Sequence, residues 1–140
     1  MSRFAMELEM LEGKTSPDLE RAWGRVAQQF DRLGSLARTE TFAVGIVVLP
    51  CREQVTGQYL NARYQETIRS LAGPLGFHVI DPLPVMRGSR MAKQELFVPY
   101  DRNHPSAEGH ALIAQAILRY LAEHHMVAAT RPPTTPVGQP

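Results

Sequence analysis

Phe42-Ala43-Val44-Gly45-Ile46-Val47-Val48-Leu49, bounded by Pro50, decides the fold of this chain. The run is almost continuously apolar and rich in β-branched side chains, the pattern of a parallel strand covered on both faces. Downstream, Leu60, Tyr64, Ile68 and Leu71 recur at helical spacing, and that stripe stops at Gly73-Pro74. Phe77-His78-Val79-Ile80 then reads as a second short strand, closed by Asp81-Pro82. Strand, helix, strand in that order predicts a right-handed βαβ unit with a parallel sheet.

Upstream, Thr15-Ser16-Pro17-Asp18 has the chemistry of a helix start: a hydroxyl cap, a proline in the first turn and an acid against the dipole. Leu19, Trp23, Val26, Phe30 and Leu33 follow as one apolar stripe, which predicts a long helix ending near Arg38. Residues 4–11 fit two templates. Phe4, Met6, Leu8 and Met10 alternate as on a strand, whereas Phe4, Leu8 and Leu11 are spaced as on a helix; the strand is the favoured reading. Residues 82–100 hold Pro82, Pro84, Gly88 and Pro99 and read as a long loop. A last helix is expected from Ser106, with Glu108 in its first turn. Ile113, Ala114, Ile117, Leu118 and Leu121 would form its buried stripe and Gln115, Arg119 and Glu123 its outer face. The ordered domain is therefore expected over 1–125, followed by a disordered Pro- and Thr-rich tail over 126–140.

Composition narrows the function classes. A chain of 140 residues with 44% hydrophobic content suits one domain with one core. Its formal charge of +1, with both signs interspersed, offers no footprint for nucleic acid or a membrane surface. Cys51 is the single cysteine, so no disulfide can form within the chain. Residues 1–14 carry Glu7, Glu9 and Glu12 and lack the apolar core of a signal peptide, and no run is long enough to span a bilayer. The expectation is a soluble, cytoplasmic protein.

The chemistry concentrates in Asp101-Arg102-Asn103-His104-Pro105, followed at once by Ser106-Ala107-Glu108-Gly109-His110. An acid three residues before an imidazole can orient the ring and stabilise its charged form, as the acid does in a Ser-His-Asp triad. In open α/β sheets, ligands bind at the carboxyl ends of the strands, where a connection between the last strand and the last helix would lie. An isolated D-x-x-H is more often a capped turn above a packed histidine. The extended pattern D-x-x-H-P-S-x-x-G-H resembles the last motif block of the SGNH (GDSL-like) hydrolase superfamily. Within the same resemblance, FAVGIVVLP is similar to the family's penultimate-strand region, FHVIDPLP to its last strand, and residues 101–121 to its final block and C-terminal helix.

That resemblance implies part of a flavodoxin-like three-layer α/β/α sandwich, built as a βαβ unit with flanking helices. It also implies an esterase, acyl hydrolase or O-acyltransferase acting on a small ester or an acylated carbohydrate. On these positions His104 would be the base and Asp101 its acid. The chain departs from the family in lacking the G-D-S-like nucleophile turn, the oxyanion glycine and the G-x-N-D turn; Leu11-Glu12-Gly13-Lys14 has no asparagine. The triad serine is thus expected outside this chain. The alternative is an inactive remnant serving as an interaction or assembly module.

Other constellations have plainer explanations beside the chemical ones. Cys51, just past the first strand, is a possible nucleophile for a Cys-His hydrolase, against the plainer reading of an inert rim thiol. Ser89 in the long loop is a second possible nucleophile, and Ser106 is better explained as a helix cap. Gly13-Lys14-Thr15 imitates the end of a phosphate-binding loop, but Leu8 stands where that motif needs glycine. Asp101, His104 and His110, with His124-His125, are ligands by type but not a metal-binding set, so neither metal nor cofactor is expected. An apolar strand with few neighbours invites pairing, so the chain is expected to dimerise or to remain bound to a missing N-terminal portion.

Overall fold

The computed structural model describes residues 3–126. It is a mixed α/β fold whose sheet has two parallel strands, β1 (Gly45–Val47) and β2 (His78–Ile80). Gly45, Ile46 and Val47 lie opposite His78, Val79 and Ile80. Bonds from His78 N to the Val44 carbonyl and from Val48 N to the Ile80 carbonyl, both 2.9 Å, extend the ladder beyond these residues. The regular strand is shorter than the apolar run 42–49. Leu49 and Phe42, 47% and 44% exposed, lie outside the paired segment.

Six α-helices accompany the pair among the described residues: α1 (Arg3–Glu12), α2 (Pro17–Glu40), α3 (Arg52–Thr56), α4 (Arg63–Ala72), α5 (Leu83–Gly88) and α6 (Ala107–Glu123). Successive strand residues point to opposite faces, and two clusters result. Val47 packs with Val55, Leu83, Met86, Leu96, Phe97 and Ile113. Ile46 and Val79 pack with Phe30, Leu33, Ala37, Ala72 and Phe77. Helices thus supply apolar side chains to both sides of the two strands.

α1 corrects the strand expected at residues 4–11. The segment AMELEMLE contains no β-branched residue and consists of strong helix formers. Leu11 is buried, and the helix lies against α2 and α4. A carbonyl–amide clasp from Asn61 Nδ2 to the Leu11 carbonyl ties its end to the start of α4. Gly13, at φ 72°, terminates it: Lys14 N donates to the Glu9 carbonyl at 2.8 Å. Gly13-Lys14-Thr15 is therefore part of a helix-to-helix turn. Ser16 then caps α2, accepting from Leu19 N at 3.3 Å and donating to Glu9 Oε2 at 2.6 Å. The helix runs to Glu40, two residues beyond the expected end.

The stretch 82–100 is not the irregular loop expected. It folds as α5 and a 3₁₀ turn over Lys93–Leu96. Proline in the first turn of a helix loses no needed donor, so Pro82 and Pro84 open α5 instead of preventing it. Asp81 Oδ1 accepts from Leu83 N at 3.0 Å, while Oδ2 pairs with Arg69 at 2.6 Å. Leu83 and Met86 are buried in the first cluster and hold the short helix down.

The buried stripe of α6 is displaced from the expected one. Gly109, Ile113 and Ala116 are buried, whereas Ala114 and Leu118 face solvent. Small residues at 109 and 116 let the helix approach its neighbours closely, a signal that a count of large apolar positions misses. His124 follows its last turn and donates from Nδ1 to the Tyr120 carbonyl at 2.9 Å, satisfying an end-of-helix acceptor. No described helix is long and apolar enough to cross a membrane. Apart from Met126, the tail expected to be disordered lies outside the described residues.

Candidate active site

Asp101 closes its turn with both carboxylate oxygens. Oδ1 accepts from Asn103 N at 2.8 Å and His104 N at 2.9 Å, and Oδ2 meets His104 Nδ1 at 2.7 Å. An ionised carboxylate only accepts, so this contact requires the proton on Nδ1 and leaves the Nε2 lone pair of a neutral ring free. The amide of Asn103, then the side chain and amide of His104, hold the Asp101 carboxyl down at about 2. It therefore stays ionised throughout the range in which an imidazole titrates.

A rigid base positions this turn. Phe97 and Pro105 are buried and form an antiparallel bridge, while Val98 N donates to the His104 carbonyl at 2.9 Å. Tyr100 adopts a left-handed backbone at φ 62° immediately before Asp101, reversing the chain. Ser106 fixes the other side: its amide donates to the Leu96 carbonyl at 3.0 Å and its Oγ to the Glu95 carbonyl at 2.6 Å. The same Oγ accepts from Gly109 N at 3.2 Å and caps α6.

The turn is also fastened to the sheet. Arg52, in the connection that leaves the carboxyl end of β1, donates its amide to the Arg102 carbonyl at 2.8 Å and Nη2 to the Val98 carbonyl at 2.6 Å. Arg102 pairs with Glu53. Burial opposes the Arg102 charge, but the hydrogen bond and charge of Glu53, with Glu7 and Cys51 adding, hold its pKa above the ordinary value. Asp101 and His104 thus stand at the strand end where α/β folds place ligands. The pair is open to solvent: the His104 side chain is 77% exposed and that of Asp101 36%. Nε2 of His104 has no hydrogen-bond partner among the described residues.

Neither alternative nucleophile is joined to His104 by a hydrogen bond. Cys51 occupies the cap position of α3 with its side chain buried, and that burial pushes the thiol pKa up. A protonated, covered thiol is a poor nucleophile. Carbamidomethylation of Cys51 by iodoacetamide at neutral pH is expected to run at least ~10-fold slower in the folded chain than in urea. Equal rates, followed by mass spectrometry, would reinstate Cys51 as a candidate. Ser89 ends α5, where its Oγ accepts from Met91 N at 3.2 Å and its carbonyl from Lys93 Nζ. That hydroxyl serves a local turn. His110 is exposed on α6, and no group of three or more potential metal ligands forms among the described residues.

Sequence reading missed the Arg52 and Arg102 clasps, because nothing local marks residues that pair across the fold. It also missed why position 109 is glycine. A Cβ there would overlap the Leu96 carbonyl oxygen and crowd Pro105 Cβ at 3.0 Å. No protein-family model, curated protein or solved structure matches this chain.

Proposed function

We propose that the chain is the C-terminal part of an SGNH-type, flavodoxin-like hydrolase fold and supplies the base and acid of a serine esterase or O-acyltransferase. The single observation that carries the reading is the 2.7 Å contact from Asp101 Oδ2 to His104 Nδ1 at the carboxyl end of the sheet. In this reading His104 Nε2 takes the proton from a serine hydroxyl as its oxygen attacks the ester carbonyl. Asp101 stabilises the resulting imidazolium, which then protonates the leaving alkoxide. The serine and the oxyanion donors come from sequence outside this chain, and the substrate is a small ester or an acylated carbohydrate.

The openness of the pair fits this assignment, since a segment carrying the nucleophile has to reach Nε2. Val98 and Tyr100, 43% and 102% exposed, flank Asp101 and offer apolar surface for that segment. The same 77% exposure of His104 also favours the second reading, an inactive assembly module that docks a second copy or an N-terminal partner through this surface. Ester turnover that depends on His104, measured on the chain joined to a segment that carries the nucleophile, separates the two. An assembly module leaves turnover unchanged when His104 is replaced by alanine.

A further inference from the structure

Beside the turn, α1, α2 and α4 enclose a cleft of about 570 Å³. Pockets of roughly 300–1,000 Å³ are the size that encloses small organic ligands. Met6 and Met10 come from α1, Trp23 and Val26 from α2, and Ile68 from α4. Methionine and aromatic walls adapt to flexible apolar ligands. The lining reaches Leu49, Cys51 and Asn103, the last immediately before His104. Among the described residues its one formally charged lining residue is Glu7, whose charge acts on the nearby Arg102. No described lysine or arginine lines the cleft, so nothing in its wall recognises the headgroup of a free fatty acid or a phosphorylated ligand, whereas a neutral ester needs no such partner.

We propose that this cleft holds the medium-length alkyl chain of a neutral acyl ester, with the ester group at the Asn103 end. The assignment of the ester end rests on the esterase reading above; the apolar cleft does not. An acetyl group would leave the walls of α1 and α2 unfilled, so the chemistry selects a longer acyl chain over an acetylated substrate. Each added methylene that leaves water for this surface tightens binding by roughly fourfold until the cleft is full.

Trp23 is the single tryptophan of the chain and lines the cleft with Tyr64, their ring centroids 6.0 Å apart. Its fluorescence therefore reports occupancy without any bond being broken. Titration of the 140-residue chain with methyl acetate, butyrate, hexanoate, octanoate and decanoate is expected to show affinity rising roughly fourfold per methylene. Val26→Phe, which narrows the cleft, is expected to weaken methyl decanoate binding at least ~10-fold. Affinity independent of chain length overturns the proposal, whatever the variant does. So does unchanged decanoate binding in Val26→Phe that retains the wild-type circular dichroism. Ester turnover, measured on the chain joined to a segment that carries the nucleophile, is a separate readout: binding without His104-dependent turnover there removes the enzyme and keeps the cleft.

Discussion

The 140-residue chain by itself is expected to hydrolyse p-nitrophenyl acetate little faster than buffer. A triad without its nucleophile loses the covalent route, and without oxyanion donors it loses the residual electrostatic route as well. His104 Nε2 has no hydrogen-bond partner among the described residues, so no hydroxyl there stands ready for it to activate. Joined to a segment that carries the nucleophile, the same protein is expected to lose on the order of 10⁶-fold in kcat on His104→Ala and about 10⁴-fold on Asp101→Asn. The inequality follows from roles: the base moves the proton, whereas the acid fixes the ring and steadies its charge. Robust turnover by the chain alone, with a covalent adduct at Cys51 or Ser89 by mass spectrometry, would show the assignment of the nucleophile to be wrong.

Gly109→Ala is expected to destabilise the fold by about 2–3 kcal/mol, seen as a lower midpoint in urea with an unchanged slope. The sign is the informative part. Replacing a helical glycine by alanine normally stabilises by up to about 1 kcal/mol. Here the new methyl overlaps the Leu96 carbonyl oxygen, a backbone atom that no rotamer change can move. α6 must retreat, which strains the 3.0 Å bond from Ser106 N to Leu96 O and the 2.6 Å bond from Ser106 Oγ to Glu95 O. Those bonds anchor the turn that carries His104, so the substitution is expected to loosen the pair as well as the core. Equal or greater stability would mean that the close approach of α6 to residue 96 does not exist in solution.

The parts of this fold legible in sequence are those governed by local rules. Ser16 and Ser106 were readable as caps because a hydroxyl before a periodic apolar run has one main use, and both cap their helices. The two parallel strands followed from β-branched runs flanking a helical stripe. Residues 4–11 misled because both periods fit eight residues; the absence of β-branched side chains was the better guide. Pro82 and Pro84 misled because proline breaks a helix interior but is suited to a helix start. In the site, the Asp101–His104 contact was legible since three residues on one turn fix it locally. The clasp of Arg52 on Val98 spans 46 positions and leaves no local trace. The same holds for the cleft, which exists only once α1 is a helix lying against α2 and α4.

The central claim is that Asp101 holds His104 as an oriented base, and the ring tautomer tests it on the chain as it stands. Long-range ¹H–¹⁵N correlation of the His104 ring, at a pH where the ring is neutral, assigns the proton to one nitrogen. The carboxylate 2.7 Å from Nδ1 predicts the proton on Nδ1, with Nε2 bare, and a shift toward the Nε2-protonated form in Asp101→Asn. A wild-type ring protonated on Nε2, unaltered by that substitution, would contradict the account.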